Sequence, residues 1–305
     1  MSTEVELLLG RCSFPATAEL VCAVSGGADS LALLALATET GRAVTAVHVD
    51  HGLRPGSAAE AHVVAAAAER LGARFVAEHV AVPPGPNLEA RARRARYGAL
   101  PEGALTGHTA DDQAETVLLH LLRGAGLHGL AGFDPATRPI HRLRRAETHK
   151  LCADLGLVPV HDPSNDDPRF RRNRVRHELL PLLDDIAERD VAAVLAAQAG
   201  HLRDDVELLE ALATAIDPTD ARALADAPVA LARRAVRAWL RTGDELHPPD
   251  ADTVERVLAV ARGHATGCEV GGGRRVQRSH QRLRIVPVDD GHGGAGAAPP
   301  VTLPT

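Results

Sequence analysis

Lysine is almost missing from this 305-residue chain: of its 34 basic residues, Lys150 is the only lysine and the other 33 are arginine. No Gly-Lys pair occurs, so a Walker A phosphate loop, whose last glycine precedes a lysine, is excluded. Aromatic residues are scarce too, with four Phe, one Tyr and one Trp, and Ala, Leu and Val must fill the core. The four cysteines, Cys12, Cys22, Cys152 and Cys268, stand far apart with no CxxC pair. That spacing excludes a zinc ribbon and a thioredoxin-type motif and fits a reducing compartment. No apolar run is long enough to span a membrane, and the N-terminus lacks the basic flank and apolar stretch of a secretion signal. A cytoplasmic protein without a membrane partner is expected. The net charge of −6 gives no global field toward nucleic acid, yet residues 138–182 carry ten basic against six acidic residues.

What is present is an alternation of short apolar runs and helical stretches from Glu19 to about Pro139. Leu20–Val24, Ala43–Val49, Arg74–Val82 and Ala104–Thr106 read as strands. Helices are predicted after each: one ending at Gly41, one from Ser57 to Gly72, one from Asn87 through Tyr97, and one from Thr109 to Arg123. Strands separated by helices imply βαβ units, hence an α/β, doubly wound, mostly parallel sheet. After Asp162 apolar residues recur at helical spacing, broken at Pro181, Pro218, Pro228 and Pro248–Pro249, which predicts a smaller helical domain. Cys268–Val270, Arg275–Arg278 and Arg282–Val286 suit a short antiparallel flap. The expected division is 1–185, a catalytic domain; 186–288, a helical domain with the flap; and 289–305, a Gly-, Ala- and Pro-rich tail expected to be disordered.

The strongest local signal is Ser25-Gly26-Gly27-Ala28-Asp29-Ser30, set between the first strand and its helix. Paired glycines let bare N–H groups approach an anion, and the helix start adds its dipole. Asp50-His51 and Gly107-His108 also follow strands, so all three segments are expected at the crevice beyond the carboxyl ends of a parallel sheet. Asp112 and Glu115 are three apart and share a helix face. They suit Mg²⁺ held between phosphates or the grip of a substrate ammonium. Arg91 and Arg94 share another face. Arg172, Arg174 and Arg176, beside Arg169 and Arg171, suit phosphate contact, with ion pairs to Asp166, Asp167 and Glu178 as the plainer reading.

The full SGGxDS loop resembles that of the PP-loop ATP pyrophosphatases, a group that includes GMP and NAD synthetases, argininosuccinate synthetase and tRNA thiolases. The remaining motifs narrow it: His48-Val49-Asp50-His51-Gly52-Leu53-Arg54, Asn87-Leu88-Glu89-Ala90-Arg91, Gly107-His108-Thr109-Ala110-Asp111-Asp112-Gln113-Ala114-Glu115-Thr116, Asp162-Pro163-Ser164-Asn165-Asp166 and Arg172-Asn173-Arg174-Val175-Arg176. Taken in order, over residues 19–185 and more weakly to about 286, they resemble the tRNA(Ile)-lysidine synthetase family. One stretch departs from the pattern: Ile140-His141-Arg142 follows Arg138-Pro139 where the family continues with apolar residues and Gly. Arg142 to Arg145 could therefore contact RNA differently.

The resemblance implies use of ATP and Mg²⁺, with Ser25, Gly26, Gly27, Ala28, Asp29, Ser30, Asp50, His51, Gly107 and His108 around the nucleotide. It implies adenylation of cytidine 34 in the CAU anticodon of tRNA(Ile), followed by attack of free L-lysine. Asp29, Asp112 and Glu115 are the expected catalytic carboxylates, with Asp29 and Asp112 as metal ligands. Arg91, Arg94, Arg172, Arg174 and Arg176 are expected to bind tRNA, and the helical domain 186–288 is expected to be tRNA-binding. A homodimer is admitted but not set by the sequence. The alternatives are a tRNA thiolase, against which the isolated cysteines argue; a non-catalytic nucleotide-binding module, which would not need the carboxylates; and an amide-forming synthetase, which would leave the arginines unexplained. Stacking of unpaired bases would fall to Tyr97, Phe133, Phe170 and Trp239, or to arginine planes.

Overall fold

The structure, a computed structural model, describes residues 3–50, 52, 57–81, 85, 88–241 and 249–288. In chain order the first elements are α1 (Thr3–Leu9), β1 (Glu19–Ala23), α2 (Ala28–Thr38), β2 (Ala43–Asp50), α3 (Ser57–Arg70), β3 (Arg74–His79), α4 (Leu88–Ala99), β4 (Leu105–Thr106) and α5 (Ala110–Leu121). The four strands form one parallel sheet in the order β3-β2-β1-β4. Val44 to His48 are buried without a break, as expected of a central strand covered on both faces, whereas β3 at the edge is largely exposed. The α/β expectation is met.

The core explains the scarcity of aromatics. Leu31, Leu33, Leu34 and Leu36 of α2 are fully buried, with Leu20 and Leu105 from the sheet and Ile140 and Leu143 from beyond it. Helix α2 is apolar on nearly every side because it is buried on nearly every side. The departing Ile140 is thereby accounted for, since it fills the core. Two bonds to Thr137 O, from Thr106 N–H at 2.8 Å and from Thr106 Oγ1 at 3.3 Å, tie that segment to β4.

Next come α6 (Leu127–Leu130), α7 (Arg145–Asp154), a 3-10 turn (Pro163–Asp166), α8 (Arg171–Arg174), a π-helical turn (Val175–Leu179), α9 (Leu180–Ala187) and α10 (Val191–Ala213). Contacts divide the chain into two compact units, Met1–Arg203 and Asp204–Thr305, so α10 crosses the division and the expected break at 185 lies before it. The second unit holds α11 (Ala221–Asp226), α12 (Val229–Leu240), α13 (Ala251–Ala261) and an antiparallel sheet β5-β6-β7 (Gly267–Gly271, Arg274–Ser279, Arg282–Pro287). Leu224, Val236, Leu240, Val257, Leu258, Val276 and Leu283 form its own core, and Trp239 packs against it. The tail 289–305 lies outside the described residues. No helix among the described residues is long and apolar enough to cross a membrane.

Candidate active site

The loop after β1 is built to expose backbone donors. Gly26 has φ +90°, a conformation open to glycine, and a Cβ there would also press on Val160 Cγ2 at 3.3 Å. Gly27 caps α2 without any side-chain hydrogen bond. The first N–H groups of α2 have no intrahelical acceptor and suit an anion. Ser30 Oγ donates to Gly27 O at 2.8 Å and accepts from Ser25 N at 3.2 Å, so these two residues brace the loop itself.

Gly107, leaving β4, touches that loop. A Cβ on it would lie 2.7 Å from Asp29 O and 2.9 Å from Ser30 N, so only glycine lets α5 start against the first turn of α2. His108 Nδ1 shares a hydrogen bond of 2.9 Å with Thr106 Oγ1, and its ring packs on Phe133 with centroids 5.6 Å apart. The Arg138 guanidinium sits 4.7 Å from the Phe133 ring centre, so this aromatic already has partners. At the end of β2, Asp50 accepts from Gly52 N at 2.8 Å and faces His79 at 3.6 Å. His51 lies outside the described residues.

Where Asp29 meets α5, carboxylates and guanidiniums alternate. Asp112 closes a capping box: its Oδ2 accepts from Thr109 N at 2.8 Å and Thr109 Oγ1 at 2.9 Å. Its Oδ1 accepts from Arg172 at 2.9 Å and Arg145 at 3.1 Å. Glu115, one turn on, has no exposed surface and takes Arg172 at 2.6 Å, Arg176 at 2.7 Å and Arg145 at 3.1 Å. Arg145 Nε also faces Asp29 Oδ2 at 3.5 Å, and Thr148 Oγ1 bonds Asp29 Oδ1. One guanidinium therefore joins the phosphate loop to both α5 acids. Beside it, Arg144 makes a two-pronged contact to Asp111 at 2.8 and 3.1 Å and pairs with Asp190.

Burial alone would raise the Asp112 carboxyl, but the Arg145 and Arg172 guanidiniums outweigh it and hold the group down at about 2. Asp29 goes the other way: burial and the neighbouring Asp112 charge raise it, against the pull of Thr148 and Arg145. Two carboxylates of one cluster are thus pushed apart, a pattern concentrated at functional sites.

The structure brings Asp29, Asp112 and Glu115 together. Arg172 and Arg176 join them from within, because residues four apart share a helix face and both reach Glu115. Arg174 instead pairs with Glu178 at 2.7 Å on the exposed side, and Arg169 with Asp167 at 2.6 Å, as in the plainer reading of that run. Arg94 is exposed and Arg91 donates to Gly85 O. Sequence reasoning missed Thr148, took Arg144 and Arg145 as RNA contacts rather than carboxylate partners, and gave Asp111 no role beyond its motif. Positions 145, 148 and 152 form a helical stripe facing Asp29 and Ala28, and that spacing was the available signal.

Cys12, Cys22, Cys152 and Cys268 are all free; burial pushes Cys22 up to about 12 and Cys152 to about 11, leaving thiols rather than thiolates.

Comparison with known proteins gives the family. Residues 3–183 match the PP-loop domain family, and residues 220–284 match the TilS substrate binding domain. A tRNA(Ile)-lysidine synthase of Nocardia farcinica is 46% identical over 285 residues, covering 86% of this chain and 89% of that one. Another, of Rhodococcus erythropolis, is 43% identical over 90% of this chain and 91% of its own. Among solved structures, a U34-tRNA thiolase of Methanococcus maripaludis shares the fold, with a TM-score of 0.50 and 17% identity, over 65% of this chain and 77% of that one. Both domain matches, in sequence order, and relatives of over 40% identity spanning most of both chains place this chain in the tRNA(Ile)-lysidine synthase family.

Proposed function

We propose that this protein ligates free L-lysine to C2 of cytidine 34 in the CAU anticodon of tRNA(Ile). The observation that carries the reading is the phosphate loop whose Asp29 is linked through Arg145 to Asp112 and Glu115. In the first half-reaction O2 of cytidine 34 attacks the α-phosphorus of ATP and pyrophosphate leaves. In the second the ε-amine of lysine attacks C2, the C2–O bond breaks and AMP leaves. The protein's part is to hold three substrates in register and to neutralise phosphate charge with fixed groups.

The charge balance of the cluster supports distinct roles. Asp29, Asp112 and Glu115 carry three negative charges, opposed by Arg145, Arg172 and Arg176. Glu115 has both oxygens occupied by arginines and serves to organise them. Asp29 Oδ2 has only the longer 3.5 Å pair with Arg145, and faces the phosphate loop as the carboxylate open to a phosphate-bound cation. Among the described residues no group of three or more His, Cys, Asp or Glu could hold a metal by itself. That suits Mg²⁺, which takes one or two carboxylates and leaves its other positions to phosphates and water. Such an ion would offset charge on the triphosphate; Asp29 would hold it, joined by Asp112 if a guanidinium gives way. Asp112 is also the acid best placed to take the lysine ammonium from Arg145 or Arg172, and a site carboxylate that does not hold the cation is the group available to receive its proton.

Incubation with ATP, labelled lysine and a CAU-anticodon tRNA transcript tests the assignment. Label on the RNA with stoichiometric AMP is expected; a folded, ATP-binding protein that leaves the RNA unlabelled overturns it.

A further inference from the structure

Arg145 is held at both ends. Its guanidinium spans Asp29, Asp112 and Glu115, while its backbone N–H donates to Asp111 Oδ2 at 2.7 Å. That N–H opens α7, and the preceding Arg144 has no side-chain acceptor to cap it, so a carboxylate from α5 caps it from outside the helix. The negative charge also suits the positive end of the α7 dipole. Asp111 further accepts from Arg144 Nε at 3.1 Å and Nη2 at 2.8 Å, and the neighbouring Ala110 N–H donates to Leu143 O at 2.8 Å. The start of α5 is thereby stitched to the start of α7. The next turn of α7 carries Thr148 to Asp29, and the turn after it carries Cys152 Sγ to Ala28 O at 3.3 Å.

The acids of α5 divide the work. Asp112 and Glu115 hold the head of Arg145, the part that must give way when a substrate ammonium or a cation takes those carboxylates. Asp111 bonds the base of the same residue, and that bond survives such an exchange. Burial would raise the Asp111 carboxyl, but Arg144 and the Arg145 N–H hold it below the ordinary carboxylate range. It therefore stays charged and is not the acceptor of the lysine proton. A guanidinium on a flexible stem returns to one place only if its backbone is fixed, and a misplacement of about 1 Å at a reacting group can cost about a hundredfold in rate.

We infer that Asp111 is a positioning residue for the reaction: by capping α7 at the Arg145 N–H it keeps the base of that arginine, and the turn bearing Thr148, in register with Asp29 while the guanidinium changes partners. This rests on the ligation reading proposed above. Two variants separate geometry from charge. Asp111→Asn keeps an oxygen for the Arg145 N–H and loses the charge, leaving the Arg144 guanidinium to Asp190. Asp111→Glu keeps the charge and the Arg144 pair but is a methylene too long to hold that N–H in place. The kcat and KM of AMP formation with tRNA and lysine are measured well below the unfolding temperature of each variant. Asp111→Asn should keep kcat within about threefold of wild type and Asp111→Glu should lose about tenfold, with KM for ATP changed less than about twofold in both. Adding Thr148→Val to Asp111→Glu should cost less than about threefold more, since both substitutions free the same helical turn from Asp29. A loss in Asp111→Asn as large as in Asp111→Glu, a wild-type kcat in Asp111→Glu, or paired losses that multiply toward about a hundredfold overturn the inference. A folded wild type that forms no AMP with tRNA and lysine would instead overturn the reading beneath it.

Discussion

Thr148 is the residue whose role the geometry defines most narrowly. It is fully buried, its hydroxyl bonds Asp29 Oδ1, and the same oxygen lies 2.8 Å from Arg145 O. One hydroxyl proton serves a site with two acceptors, so Asp29 is held in one orientation from α7 while Arg145, on the same turn, holds its other oxygen. Thr148 is thus a positioning residue for a carboxylate that a substrate must meet in one geometry. Thr148→Val should lower the kcat of tRNA-dependent AMP formation by roughly tenfold, as misplacement of a reacting group does, with KM for ATP changed less than about twofold. Thr148→Ser, which keeps the hydroxyl, should recover most of the loss. Equal kinetics in wild type and Thr148→Val, or equal losses in both variants, would show that the hydroxyl bond to Asp29 does not carry the effect.

At the scale of elements, the sheet and its helices were legible because their causes are local. Runs of Val and Ala with Gly at their ends mark β1, β2 and β4, and Thr109 with Asp112 closes a capping box that opens α5. Helix α7 was not legible. Leu151 and Cys152 are its only fully apolar buried residues, and the rest of its inward face is Thr148 and arginine aliphatic stem, so its pattern reads as a polar, RNA-facing run. The same cause hid the arginine cluster: ion pairing is settled by partners far along the chain, Arg145 with Glu115 and Arg176 with Glu115, which no local window contains. Where strand exits press on one another, single atoms become limiting. Gly107→Ala places a methyl carbon within 3 Å of the Asp29 and Ser30 backbone, atoms that cannot swing aside as a side chain can. Overpacking of this kind costs about 1–3 kcal/mol. The variant should fold with a lowered denaturation midpoint and lose ATP-dependent AMP formation because the phosphate loop is displaced. Wild-type turnover in a soluble Gly107→Ala protein would place the nucleotide elsewhere.

For the molecule as a whole, the cluster sets stability and activity against each other, and the two aspartates at its ends should show it with opposite signs. Asp112 titrates near 2 in the folded chain, below an ordinary unfolded carboxyl near 4, so its charge stabilises the fold above about pH 4 and that contribution is lost as pH falls toward 2. A shift of that size corresponds to about 2 kcal/mol. Asp112→Asn should therefore be less stable at pH 7 by at least about 2 kcal/mol, with the gap closing as both proteins are taken from pH 4 toward pH 2. Asp29 is raised instead, so ionising it costs the folded state stability at neutral pH, and protonation on acidification restores it. Asp29→Asn keeps the shape and the Thr148 contact while removing that charge. It should unfold at a higher denaturant concentration than wild type at pH 7 and form no AMP with tRNA and lysine present. A protein that retains strained charge at a working site is expected to gain stability when the charge is deleted. An Asp29→Asn variant less stable than wild type would mean that Arg145 and Thr148 already compensate the buried charge in full, leaving no strain at this position for catalysis to exploit.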